Sequence, residues 1–292
     1  MNLVLAPLRG VTIRCFRETF AELVAQAGFT EAVTPFISAA PGVNPMRDRE
    51  LRGELGGDRG IRLTPQFIGK DAAALRECLL RIRDAGFDTA DLNCGCPFPM
   101  VRNKGRGSGL LRTPGLLDEM LGVGCEVMGP DKFSVKARLG IDSPDELLSL
   151  MPILNAHPLR WLAVHARTAR QMYSGECDRA AFQRVATAAK MPVLYNGDAA
   201  LPPEDGDMAS GGVMVGRAFV RQLGRRDDSA ALLSRYIEAS RKELCGDKPV
   251  LGRMKELLAY WKGLPRWRRL WPVLKLSRTL GELNAGIACT QA

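Results

Sequence analysis

Eight short β-type runs recur through the first 220 residues of this 292-residue chain, each followed by a turn and usually by a helical pattern. They are LVLAPL (3–8), TEAVTPFIS (30–38), LTPQFIG (63–69), TADLNCG (89–95), FSVKARLG (133–140), WLAVHAR (161–167), PVLYNGD (192–198) and GGVMVGRA (211–218). Between them lie amphipathic stretches such as DAAALRECLLRIRDAG, where Leu75, Leu79 and Ile82 fall on one stripe and Gly86 ends the helix. Eight strands alternating with helices predict an α/β protein built on a (β/α)8 TIM barrel. An open doubly wound sheet needs fewer strands and a glycine fingerprint after its first one. Here the first run ends in Ala6-Pro7-Leu8-Arg9-Gly10 instead. The twelve residues AALPPEDGDMAS separate the last two runs, and Pro202-Pro203 disfavours a long helix there. A stub or irregular loop is expected.

After about residue 219 the alternation stops. Helical patterns follow over roughly 227–244, 248–262 and 272–284, broken by Gly246, Gly263-Leu264-Pro265 and Trp271-Pro272. The predicted organisation is a barrel domain over 1–222 and a small C-terminal helical domain over 223–292. Charge divides the same way. Of the net +9, residues 221–280 hold fifteen Lys and Arg against six Asp and Glu, whereas residues 1–220 are close to balanced. The basic segment also carries Trp261, Trp267, Trp271, Tyr236 and Tyr260. Cations beside aromatics suit a polyanion whose bases can stack, which favours RNA over a merely solvated helical face.

No apolar run reaches the length of a membrane span, and Met-Asn-Leu-Val-Leu-Ala-Pro lacks the charged start of a signal peptide. The expectation is a cytoplasmic monomer, with its eight cysteines reduced. In a barrel the chemistry gathers at the C-terminal ends of the strands. That singles out Arg9, Ser38, Gln66, Asn93, Cys96, Lys136, Arg138, His165, Arg167, Asn196, Asp198 and Arg217. Asn196-Gly197-Asp198 and Gly216-Arg217 end the last two runs, where barrels commonly hold a phosphate on glycine backbone and an arginine. Lys136 sits inside an apolar strand and needs an anion or carbonyl partner. His157, in a loop before Pro158, reads as incidental.

Cys94-Gly95-Cys96 is the one close cysteine pair, and with only two histidines in the chain a zinc site is not expected. Cys94 reads as packing. The turn at Gly95-Cys96-Pro97 lifts Cys96 onto a loop at the mouth, where a thiol of ordinary pKa, about 8.5, can donate a proton. Cys15, Cys78, Cys125, Cys177, Cys245 and Cys289 read as structural. Lys104-Gly105-Arg106-Gly107-Ser108-Gly109 follows a loop, so it is a weak dinucleotide fingerprint and a better basic loop over the mouth.

APLRG (6–10), PFIS (35–38), PQFIG (65–69), DLNCGCP (91–97), KGRGSGLL (104–111), VKARLG (135–140), VHARTARQMYSG (164–175), NGD (196–198), VGRA (215–218) and RMKELLAYWKG (253–263) occur in this order. In that order the chain resembles the tRNA-dihydrouridine synthases, FMN-dependent enzymes that reduce a uracil ring in folded tRNA. The resemblance implies that Pro7, Leu8, Gln66, Asn93, Lys136, His165, Asn196, Gly197, Asp198, Gly216 and Arg217 bind FMN. It implies Cys96 as the general acid that protonates C5 while hydride reaches C6, with NADPH reducing the flavin in a separate half-reaction. Lys104, Arg106, Arg167, Arg170 and, in the helical domain, Arg253, Lys255 and Tyr260 would grip tRNA, whose uridine must leave its stack. Leu8 replaces the family's usual Met, Phe98-Pro99 replaces smaller or polar residues, and the last crossover is short. Four other readings compete: a dihydrouridine synthase acting on ribosomal RNA, a small-molecule flavin reductase, a class I aldolase using Lys136 as a Schiff base, and a non-catalytic RNA-binding barrel.

Overall fold

The computed structural model describes residues 2–51, 61–204 and 211–288. Ten strands form one parallel sheet: β1 (Asn2–Leu5), β2 (Glu31–Val33), β3 (Ile37–Ala39), β4 (Arg62–Thr64), β5 (Gln66–Gly69), β6 (Ala90–Cys94), β7 (Phe133–Gly140), β8 (Leu162–Thr168), β9 (Val193–Asn196) and β10 (Gly212–Val215). Their order is β3-β5-β6-β7-β8-β9-β10-β1-β2-β4. The ends of that list are halves of two strands. β2 and β3 are the second predicted run, and β4 and β5 the third. Since β2 pairs with β4 and β3 with β5, eight strands close into the predicted barrel.

Prolines cause both interruptions. Pro35 and Pro65 have no N–H to give the ladder. Across the break, Thr34 donates its N–H to the Thr64 carbonyl at 3.0 Å, and Gln66 donates its own to Thr34 Oγ1 at 3.0 Å. A side-chain oxygen thus replaces the missing backbone partner.

The barrel interior is packed. Val4, Ala6, Val33, Trp161, Ala163, Leu194 and Met214 form one buried cluster. Strands buried on both faces read as unbroken apolar runs, which is why the sequence shows them so plainly. The helix Ala72–Asp84 buries Leu75, Leu79 and Ile82, and Asp71 caps it by accepting from the Ala74 N–H at 2.9 Å. Residues 199–204 carry no helix, and residues 205–210 of the last crossover lie outside the described residues.

Contacts divide the chain into one unit of residues 1–7 and 25–215, and a second of 8–24 and 216–292. The second therefore draws on both ends of the chain. It contains helices Arg14–Thr19, Arg217–Arg225, Ser229–Glu243, Asp247–Trp261, Pro265–Leu276 and Leu280–Ala288. The break expected at Trp271-Pro272 is absent. Pro272 lies inside a helix, exposed, and the chain turns instead at Ser277–Thr279. An exposed proline removes one helical hydrogen bond but can place its ring toward solvent, so here the helix survives it.

The aromatic residues correct a second expectation. Trp261, Trp267 and Tyr236 are core, at 0%, 1% and 1% exposure, and none can stack on a base. Trp261 and Trp267 lie 4.8 Å apart, and their indole N–H groups donate to the Val220 and Gly224 carbonyls at 2.6 and 2.9 Å. Among the cations of this segment, Arg221, Arg225, Arg235, Lys242, Lys262, Arg268 and Arg269 are exposed.

Candidate active site

Register and the two-residue period of a strand gather the mouth residues. Gln66 lies opposite Asp91, Asn93 opposite Lys136, and His165 opposite both Arg138 and Asn196. Cross-strand partners point to the same face, and Lys136 and Arg138 are two apart on one strand. One face of five adjacent strands therefore carries two carboxamides, a lysine, an arginine, an imidazole and a third carboxamide.

Their hydrogen bonds are specific. Lys136 Nζ donates to Asn196 Oδ1 at 2.7 Å, and Asn196 Nδ2 donates to the Met214 carbonyl at 2.7 Å. A lysine on an apolar strand thus meets the carbonyl partner that the sequence demands. Gln66 Nε2 donates to Asp91 Oδ1 at 2.8 Å and Asn93 Nδ2 to Gln66 Oε1 at 2.7 Å. Asn93 Oδ1 accepts the N–H groups of Gly95 and Cys96 at 3.1 and 2.9 Å.

Cys96 stands on the loop after β6, as the Gly95-Cys96-Pro97 turn predicts, and is buried there. Ser108 holds its carbonyl through both N–H and Oγ, at 3.2 and 2.9 Å. Gly107 packs against it with a φ of +58°, and a Cβ there would stand 2.8 Å from Cys96 Cβ. Gly107→Ala should cost about 1–2 kcal/mol from the left-handed backbone alone and displace Cys96, measurable as slower thiol alkylation or lower turnover. Unchanged stability and thiol reactivity would contradict this.

Cys94 is fully buried with its thiol pushed well above the usual range by burial, as packing requires. Cys15, Cys78 and Cys125 are buried too, but Cys177 is half-buried and Cys245 exposed, so those two are not core; Cys289 lies outside the described residues. His157 meets Asp118 at 2.7 Å, away from the mouth residues.

Several arginines and one lysine have partners that the sequence did not show. Arg167, expected to grip RNA, is 2% exposed and is bound to Asp198, the Gly175 carbonyl and His165. It orders the mouth, because a buried guanidinium satisfied by protein acceptors cannot reach a phosphate. Arg253 pairs with Glu243 at 3.0 Å, and Lys255 donates to the Lys275 and Ser277 carbonyls at the end of a helix. These two hold the helical unit together. Tyr260 is half-buried, Lys104 exposed, Arg106 half-buried, and Arg170 exposed beside Asp142. Pro7 and Leu8 follow β1 and are half-buried, and Gly197 and Asp198 follow β9. Gly216 and Arg217 do not end a strand: they are the N-cap and first residue of helix Arg217–Arg225.

A family profile described as dihydrouridine synthase matches residues 4–258. The chain is 32% identical to tRNA-dihydrouridine synthase B of Vibrio cholerae over 68% of its length and 60% of the relative's. It is 31% identical to the enzyme of that name from Pseudomonas putida, over 74% of this chain and 64% of the other. The chain belongs to the dihydrouridine synthase family. It spans about three-fifths of the length of these curated relatives. Among solved structures, an old yellow enzyme homologue from Zymomonas mobilis superposes with a TM-score of 0.54 at 11% identity, covering 75% of this chain and 85% of the other. Morphinone reductase gives 0.52 at 12% identity, over 75% and 83%. At these identities the likeness is one of fold, and it agrees with the barrel.

Two residues of this candidate site escaped the sequence reading. Asp91 and Ser134 are both fully buried, and Ser134 Oγ donates to Asp91 Oδ2 at 2.7 Å. The available signal was a carboxylate in the middle of an apolar strand, which demands partners. Burial raises the Asp91 carboxyl from 3.8 to about 6, against the pull of its hydrogen bonds from Gln66 and Ser134. The folded state then keeps a proton that the unfolded chain has lost, so stability falls as pH rises through that window. Asp91→Asn should remove this fall, gaining about 2 kcal/mol on the parent between pH 4 and pH 7. Urea denaturation at both pH values checks it; a parallel change in both proteins would contradict it.

Proposed function

We propose that the chain reduces uridine in tRNA to 5,6-dihydrouridine, as an FMN-dependent oxidoreductase of the cytoplasm with NADPH as reductant. One observation carries this reading: Gln66, Asn93, Lys136, His165 and Asn196 share one face of five adjacent strands, with Cys96 on the loop after β6. The donor set fits FMN. Its flat ring has an electron-rich edge that suits the Lys136 ammonium, and carboxamides such as Gln66 and Asn93 suit its imide edge. Pro7 and Leu8 supply apolar contact. Gly197, Gly216 and Arg217 are assigned to the phosphate, the last two by the N–H groups at a helix start, and Asp198 serves the site by holding Arg167.

When bound, FMN supplies the hydride that the uracil takes at C6. Cys96 gives its Sγ proton to C5, so the ring gains two hydrogens and its double bond becomes single. Lys136 would hold the flavin ring by its electron-rich edge, and Arg167 orients His165 at the mouth. Lys104, Arg106 and Arg170, with the exposed cations and Tyr260 of the helical unit, hold the RNA backbone. The barrel unit is the catalytic part and the helical unit the RNA-binding part of a monomer.

Purified protein should show the yellow absorbance of oxidised flavin and release FMN on denaturation. A colourless protein that takes up no added FMN would sink the reading and return Lys136 to the aldolase alternative, testable by borohydride trapping.

A further inference from the structure

The loop that carries Cys96 is held at its carbonyls by Arg138, which donates from Nε to the Gly95 oxygen at 2.9 Å, and by Ser108. Its N–H groups are held differently, by Asn93 Oδ1 at the end of a buried chain of side chains. We propose that Asp91 is a positioning residue for this loop: its carboxylate sets the direction of the Gln66–Asn93 amide chain and so pins the N–H groups of Gly95 and Cys96.

A carboxamide by itself can turn either its oxygen or its nitrogen to a neighbour. A carboxylate only accepts, and a backbone N–H only donates. Beginning at Asp91, Gln66 must present Nε2, which leaves Oε1 for the next link. Asn93 must then present Nδ2 to Gln66, which leaves Oδ1 for the loop. Beginning from the loop, the two N–H groups demand the same orientation. Both ends of the chain agree, and no link can reverse without opposing two acceptors. Gln66 and Asp91 are 0% exposed and Asn93 is 7% exposed, so water cannot rescue a reversed link. The carboxylate therefore acts on Cys96 through two intermediates without touching it.

The link to turnover rests on the function proposed above; the link to the loop does not. Asp91→Asn keeps the shape, and Ser134 can go on donating to the Ala90 carbonyl at 3.2 Å. It replaces a group that can only accept with an amide that can turn its Nδ2 toward Gln66, so the direction of the chain is no longer fixed from this end. In the FMN-loaded protein, hydrogen–deuterium exchange at the Gly95 and Cys96 N–H groups should become about tenfold faster, and exchange along β7 and β8 should not change. On tRNA, kcat should fall about tenfold with KM unchanged, because loop position and not RNA binding is altered. Ser134→Ala leaves the direction of the chain set, so its loop exchange should match the parent; equal acceleration there would mean general loosening and would overturn the proposal. Parent-like loop exchange in Asp91→Asn overturns it as well, whatever the turnover. Gln66→Met cuts the chain one link on and should speed the same two N–H groups even where Asp91→Asn fails to fold. Parent-like exchange in that variant is again fatal. An inactive parent would defeat the proposed function and leave the exchange comparison intact.

Discussion

Cys96→Ala should retain bound FMN and lose turnover on tRNA by about 10²–10⁴-fold, the usual contribution of a positioned general acid. The substitution is conservative where it matters structurally. Gly107 and Ser108 pack against the Cβ and the carbonyl of residue 96, and alanine keeps both. Only the sulfur and its proton go. Single-turnover mixing separates the two half-reactions: NADPH should still bleach the flavin at the parent rate, and reoxidation by tRNA should be the step that slows. Parent-like reoxidation would remove Cys96 from the chemistry and make it one more buried thiol.

Arg160→Ala should destabilise the barrel by about 3–5 kcal/mol, the cost of leaving a buried carboxylate without its cation. Arg160 holds both oxygens of Glu31 at 2.7 Å, and Glu31 is 4% exposed. Thr64 donates to the same carboxylate, and the guanidinium lies 3.9 Å over the Trp161 ring. The pair ties β2 to the start of β8, with charge placed beneath an apolar layer. The double variant Glu31→Ala/Arg160→Ala should be less harmful than Arg160→Ala alone, since no charge is left behind. Urea denaturation at neutral pH gives both values. A loss below about 1 kcal/mol in Arg160→Ala, the worth of a surface pair, would contradict the account.

The barrel was legible because parallel strands buried on both faces leave apolar runs that turns and helices punctuate. What the runs did not show was the breaks in the second and third strands. Pro35 and Pro65 signal them, but only the structure shows Thr34 Oγ1 taking over the missing bond. The helical region was legible in kind and not in detail. Pro272 reads as a stop in any local rule, yet its helix continues because the ring faces outward. Composition misled over the aromatics, since a tryptophan count carries no information about which face each indole occupies. Trp261 and Trp267 fill the helical core.

The site was legible wherever a residue type is unusual for its place, as Lys136 is on an apolar strand. Arg167 shows the limit. Its strand position was read correctly and its task was not, because the acceptors that claim it, Gly175 in the loop that follows and Asp198 after β9, are brought to it only by the fold. Asp91 was passed over for the opposite reason. It lies one layer beneath the mouth, and strand-end reasoning looks only at the rim.

The central claim is that this chain adds hydrogen across the uracil double bond of uridine in tRNA. The direct measurement is mass spectrometry of nucleosides from an unmodified tRNA transcript incubated with the FMN-loaded protein and NADPH. The account predicts a uridine heavier by two hydrogens, formed by the parent and lost in Cys96→Ala. A transcript whose uridines all keep their mass while NADPH is oxidised against a small acceptor would contradict it and make the protein a small-molecule flavin reductase.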